Sequence, residues 1–197
     1  MKSVLKPSSW LVVLLAFATL AACNRTPKAF DPASATAAKE QLEVLRDTVD
    51  VRWTEMIASD DAKITATSQI LNELERSPVA DKQQLQQLAA VNNRFKKMRY
   101  QQLSMQSADI DRYDAAQDSL LGVLRTVVSA SAGANSTVQN TFDTIGQYDG
   151  QVAGYRVQYD RAAKRFNNYL QLHQPELQTL GGKYKQLAPL PLFEIPQ

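Results

Sequence analysis

Cysteine and histidine are almost missing from this chain of 197 residues, which has one of each, Cys23 and His173. A single cysteine cannot form an intramolecular disulfide, so packing has to stabilise the fold. His173 stands close to a proline at the end of a predicted helix, and the chain offers neither a conventional Ser/His/Asp triad nor a Cys/His pair. Metal sites built on clusters of cysteine or histidine are excluded as well. We therefore expect no enzymatic activity, no metal and no cofactor.

An excess of positive charge is also lacking. Residues 1–22 contain Lys2 and Lys6 and no acidic residue, so the chain from residue 23 onward has 20 basic and 20 acidic side chains. A segment with zero net charge and no basic run lacks the electrostatic character of a nucleic-acid-binding protein. We expect no nucleic-acid partner.

Acidic pairs are the remaining candidates for chemistry. Asp60-Asp61 and Asp109-x-Asp111 could in principle bind a hard cation, but on helices such pairs are typical of solvated faces or of first turns. A hydrolase that uses acids alone stays a minor alternative.

Long apolar runs are absent except for one, Trp10 to Ala22, which has 13 residues. A helix needs roughly 20 apolar residues to cross a bilayer. Positive charge, an apolar centre and small residues follow one another here, as in a secretory signal. The alternative is a short uncleaved anchor in which Cys23 is incidental.

The tetrapeptide Leu20-Ala-Ala-Cys23 resembles the lipobox of bacterial lipoproteins. The resemblance implies that Cys23 is linked to a diacylglycerol, becomes the first residue of the mature chain and is usually N-acylated. Several acyl chains provide stable membrane anchoring where one gives only marginal binding. Asn24, in place of the aspartate that retains many lipoproteins in the inner membrane, favours the outer membrane, facing the periplasm.

Four regions are predicted along the chain. Residues 1–22 are a lipoprotein signal peptide, residues 23–31 a tether, residues 32–172 a helical bundle and residues 173–197 an extended C-terminal tail.

Helical periodicity dominates the third region. Apolar residues at three- and four-residue steps predict a first helix that is capped by Asp31 and reaches Arg76, with a pause at Asp60. Ser77-Pro78 predicts the start of a second helix, and Ser107 either caps a third or lies within one continuous rod. A loop is predicted over Ser129–Ser136. The last helix is predicted from an apolar stripe: Phe142, Ile145, Tyr148, Val152, Tyr155, Tyr159, Ala162, Phe166 and Tyr169. The fold class is all-α, an elongated, antiparallel, coiled-coil-like bundle of three to four long helices.

The segment from about Tyr148 to Glu194 resembles the LemA family of bacterial membrane-associated proteins. The residues that carry the resemblance are Tyr159-Asp160, Phe166-Asn167, Pro175, Leu177, Gly181-Gly182, Tyr184 and Leu192-Phe193-Glu194, with Trp53 in the first helix. The chain departs from the family pattern at Ile64–Leu71 and at His173–Pro175. The resemblance implies a helical fold and membrane association, and it carries no enzymatic activity.

Three glycines follow one another at four-residue spacing, Gly146, Gly150 and Gly154. At 100° per residue they form a strip opposite the tyrosine stripe. Glycine costs about 1 kcal/mol in a helix relative to alanine, so the strip suggests close approach of another helix, from the same bundle or from a partner molecule. The alternative is that the helix begins only near Val152.

Together these features predict a lipid-anchored, non-catalytic protein of the bacterial cell envelope that binds other proteins or itself. Its polar outward faces and the tail from Gln174 onward are the expected contact surfaces. The alternative is a solute- or lipid-binding bundle, which predicts a cavity lined by residues such as Trp53 and Tyr155.

Overall fold

The computed structural model describes residues 34–77, 81–131 and 136–193. These residues form five α-helices and one 3₁₀ helix. The elements are α1 (Ala35–Glu75), α2 (Lys82–Met98), α3 (Ser107–Ser131), α4 (Ser136–Leu172), α5 (Gln174–Thr179) and the 3₁₀ helix Gly182–Lys185. No strand occurs within the described residues. The predicted all-α bundle of three to four long helices is confirmed.

Helix α1 has 41 residues and continues through Asp60 without a break. At 1.5 Å per residue it is about 60 Å long. Its N-cap is Ser34, whose hydroxyl accepts a hydrogen bond from the Ala37 backbone N–H at 3.3 Å. The prediction of Asp31 as the cap was therefore wrong. A serine directly before the alanine-rich first turn satisfies a donor that would otherwise have no partner.

Helices α2 and α3 are separate, which settles the alternative of one rod. Asp81 caps α2 by accepting from the Gln84 N–H at 3.1 Å, so Ser77 is not the cap of this helix. Helix α2 ends at Met98, and α3 begins at Ser107 as predicted. Residues 99–106 connect the two helices.

The four long helices alternate in direction. Lys63 on α1 pairs with Asp149 on α4, whereas the earlier Trp53 lies against the later Tyr159, so α1 and α4 are antiparallel. The same comparison of contacts makes α2 antiparallel to α1, and α3 antiparallel to both α2 and α4. This up-down-up-down order is typical of four-helix bundles. The first half of α1 and the second half of α4 extend beyond α2 and α3.

An aromatic cluster fills the core where the two long helices leave the four-helix part. Trp53, Tyr100, Tyr113, Tyr159 and Phe193 pack edge to face, with ring centroids 5.5–6.1 Å apart. Such edge-to-face pairs add stability beyond the area that they bury. Of the three tyrosines predicted to face the core, Tyr159 is fully buried, whereas Tyr148 and Tyr155 are half-buried.

Residues 174–193 fold back onto the bundle, and the prediction of an extended tail over 173–197 was wrong for this part. After α5, Gly181 and Gly182 adopt φ values of 71° and 52°, which glycine tolerates best, and turn the chain into the 3₁₀ helix. Residues 186–193, which we call the C-terminal strap, then run along α1 and α4. Leu177, Leu190 and Phe193 are buried. Their burial stabilises this folded-back arrangement.

Candidate functional site

A buried ion pair joins α1 to the end of α2. The carboxylate of Asp60 pairs with the guanidinium of Arg99, accepts a hydrogen bond from the Tyr113 hydroxyl at 2.6 Å and accepts another from the Gln117 amide at 2.8 Å. The amide of Gln117 also donates to the Tyr113 oxygen at 2.9 Å. Helices α1 and α3 and the connection after α2 therefore contribute to one hydrogen-bonded network.

The charges and the burial of this network shift the pKa values of its ionisable side chains. Burial by itself would lower the pKa of Arg99, but the hydrogen bond with Asp61 and the charge of Asp60 raise that pKa above its ordinary value. Burial raises the pKa of Tyr113, and the neighbouring charge of Asp60 raises it further. Burial would also raise the pKa of Asp61, but Arg99 lowers it overall. At neutral pH the arginine is therefore cationic and the tyrosine is a hydrogen-bond donor.

A second ion pair joins α3 to α4. Both terminal nitrogens of Arg156 donate to the Asp114 carboxylate at 2.7 Å, which is the bidentate geometry that makes arginine pairs strong. One of these nitrogens also donates to the Tyr100 hydroxyl at 3.2 Å. The guanidinium lies 5.0 Å from the centre of the Phe193 ring, a cation–π contact. Arg156 thus connects the bundle core to the C-terminal strap.

Lys63 provides a third ion pair, and its residue is only 4% exposed. Its ammonium donates to the Asp149 carboxylate at 3.1 Å. Close by, Ser59 is 9% exposed and its hydroxyl has no hydrogen-bond partner within the described residues. A buried hydroxyl in this state costs free energy unless a ligand or water satisfies it.

The three ion pairs surround a cavity of about 340 Å³ between α1, α3 and α4. This volume lies within the range of small-molecule sites, roughly 300–1,000 Å³. The charged and polar side chains in its wall are Ser59, Asp60, Lys63, Arg99, Tyr100, Tyr113, Asp114, Gln117, Asp118, Asp149, Tyr155 and Arg156. Met56, Ile57, Val152 and Ala153 complete the wall. Tyr155 lines this cavity as the ligand-binding alternative predicted, whereas Trp53 packs in the aromatic cluster instead.

The C-terminal strap is held by side chains of α4. Asn167 donates to the Leu190 carbonyl at 2.9 Å and accepts from the Leu190 N–H at 2.7 Å. The Tyr159 hydroxyl donates to the Pro191 carbonyl at 3.1 Å. Burial raises the pKa of Tyr159 to about 12.

The Asp160 carboxylate accepts from the Phe193 N–H at 2.9 Å. Several of the residues that carry the resemblance to the LemA family therefore have a common structural task. The side chains of Tyr159, Asp160 and Asn167 on α4 bind backbone groups of Leu190, Pro191 and Phe193. The pattern is explained by attachment of the strap.

An apolar groove lies beside the strap and has a volume of about 440 Å³. Its apolar wall is formed by Leu42, Leu103, Phe166, Tyr184, Leu187, Ala188, Pro189, Leu190 and Pro191. Leu103, in the connection between α2 and α3, is 70% exposed at its edge. Arg46 on α1 donates to the Gln102 side chain at 2.6 Å, which holds this connection against α1.

The site residues predicted from sequence lie elsewhere. Cys23, with the whole of residues 1–33, lies outside the described residues. Gly146, Gly150 and Gly154 are exposed positions inside α4, so the alternative of a helix that begins near Val152 was wrong. An added Cβ at each glycine would meet no atom within 4 Å, so no other described helix approaches the strip closely. Close approach of a partner molecule stays a prediction.

The interpretation of Asp60-Asp61 as a solvated acidic pair was wrong for Asp60, whose side chain is only 12% exposed in the network with Arg99. A signal for this was present, because Asp60 stands four residues after Met56 and four before Ile64, on the apolar face of α1. Within the described residues, no group of three or more His, Cys, Asp or Glu side chains is arranged to hold a metal ion. None of the described helices combines the length and apolar character needed to cross a bilayer.

Fold and site together define an all-α bundle with a polar cavity in its core and an apolar groove beside its C-terminal strap. Comparison of the chain with protein-family models, with curated proteins and with solved structures finds no match. The resemblance to the LemA family therefore rests on the residues quoted for it.

Proposed function

We propose that the protein is a LemA-like lipoprotein, anchored by acylated Cys23 in the bacterial cell envelope, which binds a partner protein at the same membrane. The outer membrane, facing the periplasm, is the proposed location, on the basis of Asn24. The role is non-catalytic, that of an accessory or scaffold protein. The apolar groove beside the strap is the proposed contact surface and the observation that carries the proposal.

The position of the groove relative to the anchor supports this choice. Leu42, in the wall of the groove, is about 10 Å along the helix from the start of α1. Ser34 lies eleven positions after Cys23, and a chain of that length spans at most about 40 Å. A lipid on Cys23 therefore keeps the groove near the membrane surface.

The chemistry of the groove indicates the kind of partner. Its wall is largely apolar, with Glu43, Arg46, Lys183 and Gln186 as its polar members, and Leu103 exposes most of its side chain at the edge. Lys183 and Glu43 in this wall form an ion pair at 3.7 Å and neutralise each other. An apolar segment of another envelope protein, held at the same membrane, matches this surface better than a charged peptide does.

Site-specific crosslinking in intact cells tests the proposal. A photo-reactive residue replaces Leu103 in the wild-type chain and in Cys23→Ser, and the matched control replaces Val123, an exposed apolar residue of α3 outside the groove. Mass spectrometry identifies the adducts and the mass of the N-terminal peptide. We expect a lipid-modified N-terminus and, from position 103, an adduct with a membrane-associated protein that Cys23→Ser loses and position 123 does not form. An unmodified cysteine disproves the anchor, and equal adducts from both positions disprove the groove.

A further inference from the structure

We propose that the polar cavity between α1, α3 and α4 is a binding site for a small organic carboxylate. The inference goes beyond the proposed function and does not depend on it, because the cavity and the apolar groove share none of the described residues and the cavity needs no membrane. It rests on buried donors without partners in the cavity wall, on the depth at which the cations of that wall lie and on the size of the space.

Two arginines in the wall each retain a donor without a partner. Both terminal nitrogens of Arg156 donate to the Asp114 carboxylate. One terminal nitrogen of Arg99 pairs with Asp60 and Asp61. The Nε–H groups of the two arginines are buried and have no hydrogen-bond partner within the described residues. A buried donor in this state costs free energy, so the wall favours a ligand that brings acceptor oxygens.

Two further donors belong to the same wall. The hydroxyl of Ser59 is buried and has no partner within the described part of the chain, and a hydroxyl can donate to a carboxylate oxygen. The ammonium of Lys63 has three N–H donors, and its hydrogen bond to Asp149 uses one of them. A carboxylate has two oxygens with about four lone-pair sites, so it can accept from several of these groups together.

The depth of the charges favours an anion. The cationic side chains of the wall are 5%, 10% and 14% exposed in Lys63, Arg99 and Arg156. Among the acids of the wall, Asp60 is 12% exposed, whereas Asp114 and Asp149 are 37% and 44% exposed and Asp118 is exposed too. Solvent and salt screen these outer carboxylates more than the buried cations. The buried part of the described wall therefore holds three cations and one acid, and it attracts a negative charge.

The cavity also restricts the size and the kind of the carboxylate. About 340 Å³ accommodates an acid of the size of benzoate and excludes a phospholipid or a folded peptide. Met56, Ile57 and Val152 provide apolar contacts for the carbon part of the ligand. Inorganic phosphate has no such part, so an organic carboxylate matches the wall better.

Calorimetry and NMR of the purified full-length protein at low salt test the inference. The probes are benzoate, butyrate and succinate. Three controls each change one property of benzoate: benzamide has its shape and an acceptor oxygen without the charge, benzylamine has the opposite charge, and inorganic phosphate has no carbon part. The NMR resonances of the arginine Nε–H groups report directly on the donors without partners.

Ser59→Ala is the first variant, because it removes the hydroxyl without breaking a hydrogen bond, and we expect the fold to tolerate it. Its matched control is Ser119→Ala, at an exposed position of α3 outside the cavity wall. Lys63→Met is the second variant. It removes a buried cation and leaves Asp149, which solvent can hydrate. Circular dichroism checks that each variant is folded.

We expect at least one carboxylate to bind, to shift the Nε–H resonances of Arg99 and Arg156 and to raise the melting temperature. Loss of a charge-assisted hydrogen bond lowers affinity by about tenfold or more. Ser59→Ala and Lys63→Met are each expected to weaken benzoate binding to this extent, whereas Ser119→Ala leaves it unchanged. The inference is wrong if no carboxylate binds, if benzamide, benzylamine or phosphate binds as tightly as the carboxylates, or if Ser59→Ala and Ser119→Ala have the same affinity.

Discussion

Asn167 binds both backbone groups of Leu190, with hydrogen bonds of 2.9 Å to its carbonyl and 2.7 Å from its N–H. A side-chain amide is the one group that can pair with a backbone unit as another backbone would, since it offers a donor and an acceptor side by side. The C-terminal strap is attached to α4 as an added strand is attached to a sheet, although no sheet is present in the described residues.

Replacing Asn167 by alanine is therefore expected to release the strap. The loss of two hydrogen bonds to partly buried backbone groups destabilises the fold by about 2 kcal/mol. Urea unfolding measures this loss, and hydrogen exchange at residues 186–193 is expected to accelerate. The matched control is Asn168→Ala, at the neighbouring exposed position, which is expected to change stability by less than about 0.5 kcal/mol. Equal effects of the two variants would contradict the role of Asn167.

Replacing Asp60 by asparagine tests the buried network. The change leaves the Arg99 guanidinium without its most buried partner, and breaking such a pair from one side typically costs about 3–5 kcal/mol. Asp61 retains part of the compensation, so we expect a loss near the lower end of that range. Chemical unfolding followed by circular dichroism measures it.

The neighbouring Asp61 provides the control for this prediction. Its side chain is 39% exposed where that of Asp60 is 12% exposed, although both pair with Arg99. Exposed pairs contribute at most about 1 kcal/mol, so Asp61→Asn is expected to cost much less. A larger cost for Asp61→Asn than for Asp60→Asn would show that the network is held from the solvent side.

The contrast between these two aspartates shows what the sequence could and could not reveal. The positions of the helices followed from the apolar periodicity. A helix that buries one face needs apolar residues at three- and four-residue steps, and this spacing is visible in the sequence. The partner of Asp60 did not follow, because Arg99 lies far along the chain, directly after the end of α2. Only the packing of α1 against the end of α2 brings the two together.

The C-terminal segment illustrates the same limit. Its prolines and glycines correctly predicted an interruption of the long helices. The attachment of the strap depends on Asn167 and Asp160. Both belong to the pattern that resembles the LemA family, but the pattern does not show what they bind. The wall of the cavity likewise combines Lys63, Asp118 and Arg156 from three different helices. A local sequence pattern does not predict that these residues lie close together.

Stability is expected to fall above pH 10, and Tyr159 is one of the tyrosines that contribute to this fall. The pKa of this tyrosine is raised by burial to about 12 in the folded state, whereas an unfolded tyrosine titrates near 10. Between these values the unfolded chain loses a proton that the folded chain keeps. Unfolding therefore becomes more favourable as pH rises, by on the order of 2–3 kcal/mol for this group.

Tyr159→Phe is expected to make this decline shallower, although it also removes the hydrogen bond to Pro191 and so lowers stability at neutral pH. The measurement is urea unfolding at a series of pH values from neutral to alkaline. An identical alkaline slope in the variant and the wild type would show that Tyr159 does not contribute to it.

The glycine strip of α4 leads to the last prediction. In a helix interior, alanine is more stable than glycine by about 1 kcal/mol, and a Cβ at Gly146, Gly150 or Gly154 meets no atom within 4 Å. The triple substitution by alanine is therefore expected to raise the free energy of unfolding of the isolated protein by about 2–3 kcal/mol. Urea unfolding measures the change, and analytical ultracentrifugation records the oligomeric state of both proteins.

If another molecule packs closely against the strip, the added methyl groups keep its backbone away, and the triple variant loses self-association or becomes less stable. That result would identify the strip as a contact surface, whereas a more stable protein with an unchanged oligomeric state would mean that the three glycines make no close contact.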